Sequence, residues 1–145
     1  EMAITANAIY DLSALSQSTR NSGEKIQYTM RLYVKDNSGD YKQTNDISKY
    51  LSSFTLENAA SSSGLNGKEC VFTTDYNGEE QNTAVTKFTV KTGKAFEEQG
   101  LTYANYRVEL TAVLLNDNNL VVNGTTSSDY VVYTNAKIET GFINS

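Results

Sequence analysis

EKIQYTMRLYVKD, Glu24–Asp36, alternates without a fault. Ile26, Tyr28, Met30, Leu32 and Val34 take one set of alternate positions, and Gln27, Thr29, Arg31, Tyr33 and Lys35 take the other. Successive side chains of a strand point to opposite faces, so this stretch predicts a strand with one side in a core and the other in water. The same letters wound at 3.6 residues per turn would spread the apolar set around a helix and leave no coherent face.

The pattern recurs on both sides of that segment. Met2, Ile4, Ala6 and Ala8 share one face at the start, before DLSALSQSTRNSG reads as a loop. DNSGD at Asp36–Asp40 is turn chemistry, DYKQT a short returning strand, and Asn45 or Asp46 in NDISKYLSS can cap one helical turn. SFTLENA, KECVFTTDY and NTAVTKFTVKT continue as strands, the last with Ala84, Thr86, Phe88 and Val90 on one side. Asn-Gly, the strongest short hairpin signal, occurs at Asn66-Gly67, Asn77-Gly78 and Asn123-Gly124. TGKAFEEQG is expected as a short helical corner with Phe96 inward.

LTYANYRVELTAVLL puts Tyr106, Val108, Leu110, Ala112 and Leu114 on one face, while Val113 and Leu115 make its far end apolar on both sides. A central strand covered twice at that end is the expectation. DYVVYTNAKI is expected to close the chain. About eight or nine strands with frequent turns predict an all-β fold, an antiparallel two-sheet sandwich of immunoglobulin-like or fibronectin-like form with one or two short helical turns. Tyr103 or Tyr106 stands where such sandwiches place a tyrosine corner, and Tyr106 is the favoured one.

With 145 residues, the chain is read as one domain over 1–145, cut from a larger surface protein. Fifteen Asn, 14 Ser, 17 Thr and 10 Tyr suit turns and pleated surfaces rather than helices. A net charge of −5 with scattered basic residues argues against a nucleic-acid partner. No apolar run is long enough to predict membrane insertion.

The chemistry available is narrow. The sequence contains no histidine and one cysteine, so the common general base, an internal disulfide and a thiolate or imidazole metal site are all missing. Cys70, within a strand pattern, is expected as a buried inert thiol. Glu79-Glu80 and Glu97-Glu98 are adjacent pairs, which point apart in a strand and lie in solvent in a turn, unlike a glycosidase pair. Asp36, Asn37, Ser38 and Asp40 crowd oxygen atoms into one turn without the spacing of a calcium loop. The expectation is no enzyme, no cofactor and no metal. One trio, Lys25, Asn135 and Glu109, is nominated for an internal lysine–asparagine isopeptide cross-link.

ITANAIYDLSAL, YANYRVELTAVLLN and SDYVVYTNAKI resemble, in order and spacing, immunoglobulin-like repeats of large cell-wall proteins of gut Clostridia. That resemblance implies extracellular display on a Gram-positive cell wall and an adhesin-like role. Some surface proteins of this kind resemble immunoglobulin-binding superantigens, which implies a host protein partner. The expected module is a monomer that binds a host or cell-surface protein through Tyr33, Tyr41, Tyr76 and Tyr133, amphipathic side chains of the kind enriched at interfaces. A stalk unit that only spaces a distal binder is the alternative reading. Carbohydrate recognition is weaker, since the chain has no tryptophan to stack on a sugar.

Overall fold

The computed structural model describes residues 2–35, 38–91, 106–122, 130–133 and 141–144. Its strands are β1 (Met2–Asp11), β2 (Lys25–Lys35), β3 (Tyr41–Gln43), β4 (Leu51–Leu56), β5 (Ser61–Ser62), β6 (Glu69–Asp75), β7 (Gln81–Val90), β8 (Tyr106–Leu115), β9 (Tyr130–Tyr133) and β10 (Gly141–Asn144). They form two sheets: β10-β1-β7-β4, and β5-β6-β2-β8-β9 with β3 extending β2. The all-β two-sheet sandwich is therefore the fold, and the alternation read from the sequence sets its core. Ile26, Tyr28, Met30 and Leu32 of β2, Ala84, Thr86, Phe88 and Val90 of β7, and all five nominated positions of β8 are buried between the sheets.

Aromatic packing ties the layers together. The Phe54 ring of β4 stacks on Phe88 of β7 at 5.7 Å and tilts against Phe72 of β6 in the opposite sheet at 5.5 Å. At one end of the sandwich, fully buried Tyr106 leans on Tyr50 just before β4, ring centroids 5.7 Å apart. It is the side chain nominated for the corner, and it joins the sheets where β8 begins. Tyr103 lies outside the described residues, as does the TGKAFEEQG corner.

The structure departs from the expected antiparallel scheme at its end. β10, which the alternation did not single out, pairs in parallel with β1, Ala8 opposite Gly141 and Asp11 opposite Asn144. Buried Ile143 holds it there, while Phe142 is half exposed. The expected loop at 11–23 contains a short helix, α1 (Gln17–Asn21), whose first turn is capped by the Ser16 hydroxyl accepting from Thr19 N at 3.2 Å. The cap foreseen at Asp46 is present, its carboxylate accepting from Ser48 N at 3.1 Å ahead of a 3-10 turn over Ile47–Lys49.

Asn77-Gly78 is not the turn of a β-hairpin. β6 and β7 belong to different sheets, and of the two residues only Gly78 has a positive φ, +85°, whereas a type I′ turn needs both. The segment is an arch between layers, organised by Glu79. Its carboxylate accepts from Asn77 N at 3.0 Å and from Asn82 Nδ2 at 2.9 Å, and Asn82 Oδ1 accepts from the Tyr28 hydroxyl at 2.6 Å. Tyr76, expected as an outward contact, is turned into this network instead. It is 5% exposed and donates its hydroxyl to Glu79 O at 2.6 Å. Arg20 of α1 clamps the arch from outside, donating to Gly78 O at 3.3 Å and to Leu15 O at 2.6 Å.

Gly23 follows α1 in closest contact with β8. A Cβ at this position would fall 2.5 Å from Leu114 Cδ1, and Leu114 is fully buried with no room to yield. Gly23→Ala is expected to lower stability by about 1–3 kcal/mol, the usual cost of overpacking, read as a lower denaturant midpoint with an unchanged slope.

Three core tyrosines make the fold sensitive to alkali. Burial pushes the Tyr10 hydroxyl up to about 12, with the neighbouring Tyr76 adding to it, and burial raises Tyr28 and Tyr106 further. An acid whose folded pKa exceeds its unfolded value, about 10, holds its proton longer when folded, so stability falls as pH rises past 10. Unfolding midpoints are expected to be flat below that pH and to drop steeply above it. Tyrosinate absorbance should show these three ionising only as the fold is lost; their titration with the rest in a folded protein contradicts the account.

Candidate binding face

The outward face of the six-strand sheet carries the candidate site. β2 and β8 run antiparallel over ten register pairs, from Lys25 opposite Leu115 to Val34 opposite Tyr106. With alternate positions committed to the core, Arg31 and Tyr33 of β2 and Arg107 and Glu109 of β8 are left on the other side. The register sets Arg31 opposite Glu109 and Tyr33 opposite Arg107. β9 then adds Tyr133 opposite Arg107, and β3 adds Gln43 opposite Tyr33 and Tyr41 opposite Lys35.

Glu109 is the centre of this group. Although it occupies an outward position it is only 6% exposed, because its neighbours close over it. One carboxylate oxygen accepts from the Tyr33 hydroxyl at 3.4 Å and the other from Arg107 Nη2 at 3.2 Å. The Arg107 guanidinium also lies over the Tyr33 ring, 5.1 Å from its centroid, a cation–π contact worth roughly 0.5–1 kcal/mol at an exposed site. Burial, and after it the Glu109 charge and hydrogen bond, raise the Tyr33 hydroxyl above its ordinary value, with the arginine charges opposing. Arg31 turns the other way and pairs with Glu69 at 3.2 Å. Beside them, Lys35 Nζ lies 5.9 Å from the Tyr41 ring.

Register thus sets two of the four nominated tyrosines, Tyr33 and Tyr133, on either side of Arg107, with Tyr41 opposite Lys35 two residues along β2, and Tyr76 does not join them. Nothing in the sequence pattern marked Glu109 as the buried hub of this face. Its only signal is the row of opposed charges that the register creates.

The isopeptide trio is not assembled. Lys25 pairs opposite Leu115, six positions along β8 from Glu109, a separation of about 20 Å. Its ammonium reaches outward to Asn119 Oδ1 at 3.2 Å, and Glu109 is held by Arg107 and Tyr33. Asn135 lies outside the described residues. Cys70 is buried, with its thiol pushed up by desolvation, against weaker lowering by Ser62, Ser63 and Gly64. Among the described residues no three His, Cys, Asp or Glu side chains gather in a way that could hold a metal ion, and no helix is long and apolar enough to cross a membrane.

Away from this face, a concavity of about 510 Å³ opens between α1 and the segment after β8. Ser18, Thr19 and Ser22 supply hydroxyls along its helix side, and Asn116, Leu120 and Val121 line the other. Its charge-free lining and the exposure of Leu120 and Val121 were hidden from the sequence, where α1 read as loop.

No family model matches the chain, and no curated protein matches it. Among solved structures, it is similar to the DNA-binding domain of C. elegans Cep-1, an ortholog of human p53, at 12% identity and a TM-score of 0.39 over 79% of this chain. The chain spans 64% of that protein's length, less than two thirds. It is also similar to a structure concerned with pH-induced modulation of Streptococcus parasanguinis adhesion by Fap1 fimbriae, at 17% identity and a TM-score of 0.43 over 92% of this chain and 68% of that one. Likenesses this distant carry no argument about function.

The two arginines of the face differ in what they leave behind. Glu69 is 44% exposed in its side chain and Glu109 only 8%. Arg31→Ala is expected to cost about 0.2–1 kcal/mol, as for a surface pair. Arg107→Ala, which strips a buried carboxylate of its cation, is expected to cost roughly 1–3 kcal/mol or more. Equal costs in chemical denaturation contradict the assignment of Glu109 as hub.

Proposed function

We propose that this chain is a non-enzymatic binding module of a cell-surface protein, recognising a host protein through the outward face of β3, β2, β8 and β9. Register carries the reading: Tyr33, Arg107 and Tyr133 stand side by side on three consecutive strands, with Tyr41 on the fourth. Tyrosine and arginine are the residue types that dominate interface energetics, and here the guanidinium and ring of Arg107 and Tyr33 are held against each other before any partner arrives. Such preorganisation lowers the entropy lost on docking.

Immunoglobulin is the first partner to try, by the resemblance to surface repeats of Gram-positive bacteria. The same reading makes the module extracellular, cell-wall associated and monomeric in isolation, with no cofactor and no turnover. A spacer repeat needs no such concentration of tyrosine and arginine, and an evenly polar surface suits it better.

Immobilised domain is expected to retain purified immunoglobulin, and Tyr33→Ala with Tyr41→Ala to weaken that retention by about tenfold or more without a matching loss of stability. Failure to bind immunoglobulin, together with no specific capture from mucosal fluid relative to the double variant, overturns the binding reading in favour of the spacer.

A further inference from the structure

Two described Asn-Gly pairs stand in contrasting surroundings. Asn66-Gly67 lies in the loop that joins β5 to β6, both residues exposed, with Gly67 at φ +81° and no atom within 4 Å of where its Cβ would be. The next side chain is the exposed Lys68. Asn77-Gly78 sits in the clamped arch, where a Gly78 Cβ would be 3.3 Å from Asn21 Oδ1. There the Asn77 backbone N–H donates to the Glu79 carboxylate, Gly78 O accepts from Arg20, and the following residues are Glu79 and Glu80. Asn123-Gly124 lies outside the described residues.

We propose that Asn66 is a site of spontaneous covalent modification, converting to aspartate and isoaspartate while Asn77 is protected. The Gly67 backbone nitrogen gives up its proton to solvent base and attacks Asn66 Cγ. The Cγ–Nδ2 bond breaks and ammonia leaves, closing a five-membered succinimide. Water then adds at either ring carbonyl and breaks one C–N bond. Opening at Cγ yields an ordinary aspartate on the original backbone; opening at the backbone carbonyl yields isoaspartate, with the chain running through the side chain. The net change is amide plus water to carboxylate plus ammonium, with no oxidant or reductant.

Structure selects between the pairs on two grounds. The ring can close only where nitrogen and Cγ are able to approach; both glycine carbonyls accept a hydrogen bond, but the space beside Gly67 is open, while Gly78 is crowded by Asn21 and the backbone nitrogen of Asn77 is held by the Glu79 carboxylate. Charge adds the second ground. Negative charge develops on the attacking nitrogen, which the Lys68 ammonium favours and the Glu79 and Glu80 carboxylates disfavour.

The modified loop abuts the candidate face. Ile47 N donates to Gly67 O at 2.9 Å, and Gln43 Nε2 of β3 reaches Lys68 O at 3.5 Å. Isoaspartate adds a backbone carbon just ahead of these carbonyls and shifts both contacts, loosening β3 where it carries Tyr41. The chemistry at Asn66 does not depend on the binding reading.

The test is peptide mapping of the folded protein aged in mildly alkaline buffer, with aspartate and isoaspartate forms of each peptide separated and the small mass gain of amide-to-acid conversion recorded. Asn66 is expected to convert several-fold faster than Asn77, and the gap is expected to narrow in denaturant, where the arch no longer holds. Lys68→Glu, at an exposed position, is expected to slow Asn66. Conversion at Asn77 equal to or faster than at Asn66 in the folded protein overturns the proposal. An identical gap in denaturant overturns the structural ground, and an unchanged rate in Lys68→Glu the electrostatic one.

Discussion

The β2–β8 ladder is the constraint on which the rest depends. Its ten pairs lie at the middle of the six-strand sheet, so one hydrogen-bonded register decides two things at once. Even-numbered positions of β2, from Ile26 to Leu32, go into the core, and odd-numbered ones meet their partners from β8 on the outer face. A slip of one residue would exchange the two sets, burying Arg31 and Tyr33 and exposing Tyr28 and Met30, which is why a half-buried strand specifies its register so strongly. Stability and surface chemistry are therefore not separate designs here. The pairing that buries Tyr28 is the pairing that brings Arg107 over Tyr33.

Tyrosine serves both sides of that ladder. Tyr10, Tyr28 and Tyr106 are fully buried and fill the space between the sheets, while Tyr33 and Tyr41 are half exposed. A buried hydroxyl needs a partner or exacts a cost, and the chain answers at one end of the sandwich with the Tyr28–Asn82–Glu79 chain. The Tyr10 hydroxyl has no hydrogen-bond partner among the described residues, so the same region carries a residual cost. Arg20, reaching from α1 to the arch, keeps that polar end closed, and a helix too short to stand alone is held by the contacts it makes.

How much of this was legible follows from the range of each interaction. Alternation is local, and it identified the inward residues of β1, β2, β7 and β8. The Asp46 cap is local too, because a short side chain reaches only its own turn. Which strands share a sheet is not local. KECVFTTDY and NTAVTKFTVKT flank Asn77-Gly78 as a hairpin would, yet they part into opposite layers because Tyr76 and Glu79 satisfy one another inside the arch. Tyr76 was misread for that reason: its alternation continues β6 inward, and only the three-dimensional arch supplies its hydroxyl with a partner. β10 was passed over because four residues with one buried apolar side chain make no periodic signal. At the candidate face, Tyr33 and Tyr41 were visible as outward tyrosines, but Glu109 was nominated for a cross-link with Lys25 when its true neighbours are set by register.

The two outward faces of the sandwich differ in kind, and that difference bears on where recognition can occur. The outer face of β1, β7 and β4 presents Thr5, Thr83, Thr89, Thr55 and Ser53 around Lys87, beside partly exposed Ile9 and Val85, and some of its hydroxyls are already bonded, Ser53 to Thr89 at 3.0 Å and Thr55 to Lys87 O at 3.4 Å. Hydroxyls bonded in this way offer a partner little that water does not, and the apolar exposure on this side lies at Ile9, Val85 and, on the neighbouring β10, Phe142. The face of β2 and β8 instead holds a carboxylate almost removed from water between a guanidinium and a phenol. Charges already desolvated and fixed in direction have met much of the cost of burial before a partner arrives, and they penalise a partner whose charges are wrongly placed. Specificity can therefore arise on this side without any movement of the backbone, which the ladder beneath it would resist.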